Sequence, residues 1–147
     1  LLLEREVAVV ESDYDVIMMD AFTDDAIPSH LLTAEAFSQA YEPLLSDRGV
    51  VAFHITNRYL SLYAPIAGMA RDNGFEIVWI HNVLNGDNPL HQTTTWILVT
   101  RPENIDNLLS FDGMKLYEGR EILWTDAKNS VMSVLSLRGS AAVEWGS

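Results

Sequence analysis

Residues Tyr14–Pro28, YDVIMMDAFTDDAIP, decide the fold. The four apolar residues Val16–Met19 have the length and unbroken hydrophobicity of a strand buried on both faces, as in a parallel sheet. The run stops at Asp20. In open α/β sheets ligands bind beyond the carboxyl ends of the strands, so an acid there is a candidate site residue. Asp24 and Asp25 follow in a loop, which Ile27-Pro28 closes before the next helix. Two readings stay open for this stretch: a site built on carboxylates, or a strand end followed by two helix-capping aspartates.

Working outward, Leu1–Val10 is apolar at positions 3, 7 and 10 and reads as the last turns of an amphipathic helix. After Pro28, Thr33 caps a helix that presents Phe37, Ala40, Tyr41, Leu44 and Leu45 on one face. Asp47-Arg48-Gly49 is a turn whose glycine ends that helix. Val50–Ile55 is a second buried strand, with His54, Thr56, Asn57 and Arg58 at its carboxyl end. Tyr59–Asn73 is a helix stopped by Asn73-Gly74, and Phe75–His81 a third strand. A polar loop, Asn82–Thr93, leads to a fourth strand, Thr94–Thr100. A short helix within Pro102–Ser110, an irregular stretch over Gly113–Gly119 and a last helix, Lys128–Leu137, complete residues 1–138; residues 139–147 read as a loose tail.

Strand–helix alternation with short links predicts an α/β domain with a mostly parallel sheet. The last two strands lack a helical link, which predicts an antiparallel terminal hairpin at one edge. Mid-strand Trp79 and Trp96 read as core, and Tyr63 as packing.

Composition bounds the function. At 147 residues and 48% hydrophobic the chain suits one domain with a real core. No apolar run approaches the ~18 residues a membrane span needs. The absence of cysteine excludes disulfides and thiolate chemistry, and suits a reducing, cytoplasmic setting. The net charge of −12 argues against nucleic acid as a partner and is compatible with a cationic substrate. The four histidines, His30, His54, His81 and His91, have no ligand spacing, so no protein-held metal is expected. The eight glycines never cluster into a phosphate-cradling loop, and no nucleophile elbow or kinase signature occurs. The chain opens Leu1-Leu2-Leu3, without an initiator methionine or a signal-peptide pattern, and reads as part of something longer.

Three blocks carry a resemblance. Tyr14–Phe22 with Asp25–Thr33 resembles the YDVIxxDAFxxDxIPxHLLT block of spermidine synthase-like proteins. His54–Leu60 is similar to their HISNRYL block, and Leu123–Asp126 with Ser133–Leu135 to their terminal WTDD…SVL. The resemblance implies a Rossmann-like, class I methyltransferase-type fold, of which this chain supplies the carboxyl-terminal half. The four strands would be the fourth to seventh of a seven-stranded sheet whose last strand is antiparallel. The Gly-rich loop and the acid that holds the ribose of the S-adenosyl ligand would precede Leu1.

The implied chemistry is attack of an amine nitrogen on the carbon beside a sulfonium. An alkyl ammonium has a pKa of ~10.4, so the site must hold a cation, take its proton and aim the lone pair. The resemblance places Asp20 as base or amine ligand and Asp25 as its catalytic partner, with Asp20 and Ala21 beside the S-adenosyl ligand. Asp24, His54, Asn57, Trp124, Thr125 and Asp126 would contact substrate, the last three as a lid. The residues alone also allow Asn57 to cap a helix, His54 to bond a neighbouring backbone and Asp126 to be an N-cap.

Decarboxylated S-adenosylmethionine, or S-adenosylmethionine, is then the co-substrate, with no tightly bound cofactor and a polyamine such as putrescine as acceptor. Two other readings stand beside this one: a non-catalytic, truncated oligomerising module, and an S-adenosylmethionine-dependent methyltransferase. Truncation would leave the outer edge of strand 14–20 unpaired, which predicts homo-oligomers through that edge or a covering segment such as Leu1–Val10. Some relatives fuse this domain to a membrane segment, so the parent protein is compatible with membrane association.

Overall fold

The computed structural model describes residues 14–20, 28–55, 61–82, 94–128 and 130. Among these, one sheet of five strands carries the fold: β1 (Tyr14–Met19), β2 (Leu45–His54), β3 (Glu76–Asn82), β4 (Thr94–Thr100) and β5 (Met114–Leu116). Their spatial order is β1-β2-β4-β3-β5. β1 and β2 pair in parallel; β2 with β4, β4 with β3 and β3 with β5 pair antiparallel.

The fold is therefore mixed α/β, but the expectation of a mostly parallel sheet is corrected. The cause is β4, which returns after the 83–93 link and inserts between β2 and β3, so those two strands, which point the same way, do not touch. The expected antiparallel pairing of these two strands is found as β3–β4, but not at an edge: β4 lies between β2 and β3, and β5 pairs along the outer side of β3. Residues 114–116, expected to be irregular, form that outer strand.

Between β1 and β2 the chain is helical in four pieces: a 3-10 turn (Ser29–Leu32), α1 (Ala34–Ala36), a π-helical segment (Phe37–Tyr41) and a second 3-10 turn (Glu42–Leu44). Thr33 caps α1 as expected, its hydroxyl oxygen accepting the Ala36 N–H at 3.2 Å. The winding loosens just before Pro43, where the Glu42 N–H reaches back to the Phe37 carbonyl. Proline has no N–H to donate and its ring crowds the preceding turn, so a regular helix cannot run through 43. Phe37, Ala40, Tyr41, Leu44 and Leu45 are all buried, as their spacing predicted.

Gly49 does not end this helix. The helical run has already stopped at Leu44, and residues 46–49 bulge out of β2: Tyr14 pairs with Leu45, but Val16 pairs with Val50. A Cβ at Gly49 would lie 2.9 Å from the Tyr14 carbonyl oxygen, so only glycine lets the two strands close there. The bulge carbonyls are satisfied from β4 and beyond. Thr100 donates to Gly49 O (3.1 Å), Arg101 to Ser46 O (2.7 Å) and Asn104 to Asp47 O (2.8 Å).

α2 (Tyr63–Asp72) buries every residue from Ala64 to Ala70 and stops where expected, with Gly74 at φ +76°. It lies with α1 and the π-helical segment over one sheet face. There Ile17, Met19, Val51, Phe53, Ile77, Ile97 and Val99 join Phe37, Tyr41, Leu62, Ile66, Met69 and Trp124 in the core. A 3-10 turn (Pro102–Asn104) and α3 (Ile105–Leu109) follow β4. Asn104 and Leu108 line a shallow pocket with Val50 and Thr100, which places this segment against the other face.

That other face is open at β1. Val16 is 58% and Met18 64% exposed, so β1 is buried on one face only. Its unbroken apolarity reflects an uncovered surface, not a strand enclosed on both sides. Among the described residues no helix is long and apolar enough to cross a membrane. Residues 1–13, the first part of the expected Tyr59–Asn73 helix, the tail, and the expected 128–137 helix beyond Lys128 and Ser130 lie outside the described residues.

Candidate functional site

Parallel pairing of β1 with β2 brings two carboxyl strand ends side by side. Asp20 follows the last residue of β1, and His54 is the last residue of β2. Met19 pairs with Phe53, so the next positions, Asp20 and His54, fall on the same face. Their side chains meet, with His54 Nδ1 at 2.7 Å from Asp20 Oδ1. A carboxylate oxygen only accepts, so Nδ1 carries the proton of this bond. The Asp20 side chain is 63% exposed and the His54 side chain 21%. The acid thus stands toward solvent while the imidazole sits deeper, against the sheet.

The third member comes from β4. Trp96 pairs directly with His54 in the antiparallel register, and the two rings stack at 4.6 Å between centroids with 20° between planes. Trp96 was expected in the core. It is half-buried, on the face opposite the main core, because the buried residues of β4 on the helix-covered face are Thr95, Ile97 and Val99. The run TTWILVT is hydrophobic at successive positions, so alternation alone does not tell which face Trp96 takes. Its register with a strand-end histidine is the signal that identifies it.

On the opposite face, at the same end of the sheet, Tyr63, Thr95 and His81 form a second polar group. His81 Nδ1 lies 2.7 Å from Thr95 Oγ1. Burial raises the Tyr63 hydroxyl above its ordinary pKa, against the lowering effect of its hydrogen bond with Thr95. Tyr63 also stacks on Tyr117 (5.5 Å) and meets Trp79 edge-on (6.1 Å), which fits the packing role expected for it.

Trp124, Thr125 and Asp126 dock on the start of α1. Trp124 is 2% exposed and joins the core, while its carbonyl accepts the Ala34 N–H at 2.9 Å. Thr33 Oγ1 donates to Asp126 Oδ1 at 2.8 Å, and the Asp126 N–H donates to Glu35 Oε2 at 3.1 Å. Thr125 and Lys128 exchange a two-residue bridge. The bonds described for Asp126 join it to the start of α1, and the helix it was expected to cap lies outside the described residues beyond Lys128 and Ser130. Ala21, Asp24, Asp25 and Asn57 lie outside the described residues, and among the described residues no three His, Asp or Glu side chains converge as a metal site would require.

No family model and no curated protein matches the chain. Among solved structures it is similar to the crystal structure of M1.HpyAVI, a DNA methyltransferase, at 19% identity and a TM-score of 0.44 over 68% of this chain. The match spans 50% of that chain, about half its length. Likeness at that level fixes no activity. The resemblance to spermidine synthase-like proteins therefore rests on the three sequence blocks alone.

Proposed function

We propose that this chain forms the acceptor side of a group transferase that uses an S-adenosyl ligand, with Asp20 and His54 handling the proton of an attacking nitrogen. The observation that carries this reading is the 2.7 Å bond between the two at the carboxyl ends of a parallel strand pair. The exposed Asp20 carboxylate suits a cationic acceptor and a sulfonium donor, since both are drawn to negative charge. In the transfer, the nitrogen lone pair forms the new N–C bond and the C–S bond breaks. The sulfur leaves as a neutral thioether with the electron pair. The proton shed by the nitrogen passes to the Asp20–His54 couple, whose shared hydrogen bond spreads the incoming charge.

Methyl transfer is the first reading, since it asks of these residues only a base and a carboxylate field. Aminopropyl transfer is the second, favoured by the spacing of Asp20 and Asp25 within the Tyr14–Thr33 block. Calorimetric titration with S-adenosylmethionine, decarboxylated S-adenosylmethionine and putrescine, for the chain and for Asp20→Asn, separates them. Preference for S-adenosylmethionine supports methyl transfer. Preference for the decarboxylated donor together with Asp20-dependent putrescine binding supports aminopropyl transfer. A folded protein that binds none of the three overturns both.

A further inference from the structure

We propose that the shallow pocket at the amino end of β1 binds a free α-amino acid with an aliphatic side chain. The pocket has a volume of about 340 Å³ and lies at the end of the sheet opposite Asp20 and His54, apart from the candidate transfer site.

Opposite charges enter it from two strands. Asp15 comes from β1, and Arg48 from the 46–49 bulge of β2. A carboxylate and a guanidinium that share a pocket would ordinarily neutralise each other, yet among the described residues Arg48 forms no ion pair. The Asp15 carboxylate is anchored instead by Ser46, whose hydroxyl donates to Oδ1 at 2.8 Å and leaves Oδ2 for another donor. Arg48 is exposed, and its guanidinium fork is uncommitted among the described residues.

The third group is a buried acceptor. Asn104 lines the same pocket and is 9% exposed. Its amide nitrogen donates to the Asp47 carbonyl at 2.8 Å. An asparagine at a helix start ordinarily turns its oxygen onto a backbone N–H, but this oxygen caps nothing in α3, and none of the described residues donates to it. A buried carbonyl oxygen in that state calls for a donor from a bound molecule.

These groups define the ligand. An ammonium suits Asp15 and the Asn104 oxygen; a carboxylate suits the planar fork of Arg48 and the exposed amide of Asn107. Val50 and Leu108, both half-buried, supply apolar wall for an aliphatic side chain. A plain anion would meet Asp15 and a plain cation Arg48, whereas a zwitterion satisfies both. A zwitterion also carries no net charge, so the −12 of the chain does not repel it. The volume is at the small end of ligand sites, ~300–1,000 Å³, which suits one amino acid rather than a peptide or a nucleotide. The frame is set in advance. Thr100 and Asn104 line the pocket and also hold the bulge, through Gly49 O and Asp47 O, so Arg48 stands on a fixed backbone.

Calorimetric titration of the chain with L-leucine, L-valine, isocaproate and isopentylamine tests this. The last two are leucine stripped of its amine and of its carboxylate. At least one of the two amino acids should bind, and each stripped analogue should bind at least tenfold more weakly. Arg48→Gln and Asp15→Asn, both at exposed positions, should each lower the amino-acid affinity at least tenfold with the thermal midpoint close to the parent's. Amide resonances of Val50, Thr100, Asn104 and Leu108 should move on titration, while those of Asp20 and His54 stay in place. Absence of binding by both amino acids to the folded chain overturns the proposal. So does binding that the stripped analogues match, that either variant leaves unchanged, or that moves the Asp20 and His54 resonances instead.

Discussion

The backbone of Gly68 in α2 runs directly under the carbonyl of Ile122, so close that a Cβ at 68 would lie 2.4 Å from that oxygen. Ile122 N–H donates to the Ala64 carbonyl at 2.9 Å, so the 122–124 segment is bonded to the helix as well as pressed onto it. Gly68→Ala must push the segment away and is expected to cost about 1–3 kcal/mol. Trp124, buried two residues on, reports the displacement. Its emission should shift to the red in folded Gly68→Ala. An unshifted spectrum with unchanged urea midpoint would show that the segment yields without leaving.

Thr33 joins the start of α1 to Asp126 across the molecule. Thr33→Val keeps the shape but removes the hydroxyl that serves both partners. A loss of about 1–2 kcal/mol is expected by thermal unfolding, with Thr33→Ser close to the parent. Asp126→Asn should cost less in the Thr33→Val background than in the parent, since the two share one bond. Full additivity would mean that the bond contributes nothing.

Burial pushes the Tyr41 hydroxyl well above its ordinary pKa of 10.0, and its O–H donates to the Leu31 carbonyl at 3.0 Å. The unfolded chain ionises this group near pH ~10, while the folded chain still holds the proton. Above that pH the native state binds more protons than the unfolded state, so stability falls as pH rises. Tyr63 and Tyr117, both raised chiefly by burial, add in the same direction. Tyr41→Phe should therefore cost about 1 kcal/mol near neutrality, for the lost hydrogen bond, yet flatten the alkaline limb of the stability curve. Urea midpoints near neutrality and at about pH 11 give the comparison. An identical alkaline slope in the variant would place the proton uptake elsewhere.

Neighbouring residues of β1 should respond in opposite ways to charge. Ile17 is 7% exposed and lies in the core, whereas Met18 is 64% exposed on the open face. Met18→Lys should change stability by no more than about 0.5 kcal/mol, while Ile17→Lys buries an unpaired cation and should abolish folding. Equal tolerance at both positions, judged by dispersion of amide resonances, would mean that β1 is not fixed in this register.

Asp20→Asn should leave stability almost untouched, because the exposed acid makes its pair with His54 in high dielectric and solvent screens it. Binding of a cationic acceptor should weaken at least tenfold if Asp20 holds it, since a charge-assisted bond is lost. Calorimetry of parent and variant at two ionic strengths reads both effects. Unchanged acceptor affinity removes Asp20 from the amine site.

Much of this architecture was legible in the sequence where local chemistry dominates. Thr33 announced its cap, Asn73-Gly74 announced the end of α2, and the bounds of β4 followed from its β-branched run. The insertion of β4 was not legible. A run apolar at consecutive positions fits a central place or an edge place equally, and only pairing across long sequence separation decides. For the same reason Val16 and Met18 read as enclosed, and Trp96 as core. The bulge at 46–49 is held by Thr100, Arg101 and Asn104, about fifty residues away, so nothing near Gly49 marked it. At the candidate site, Asp20 and His54 were singled out because each ends a strand, and parallel pairing brings strand ends together. Trp96 needed the antiparallel register, which no local pattern carries.

The place of β4 also governs the order in which this molecule can be assembled. As the chain leaves the ribosome, β1 and β2 can zip together as soon as residue 54 is free. β3 then emerges with no sheet neighbour of its own, because the strand that links it to β2 has yet to be made. Until Thr100 is synthesised, the Ile77 side of β3 depends on α2 and Phe75 for shelter, and its backbone waits unpaired. A pause in translation between residues 82 and 94 would therefore expose a half-built sheet. The same strand that joins β3 to β2 delivers Trp96 to His54, so the candidate site takes shape with the central pairing of the sheet, before β5 and Trp124 are added to it.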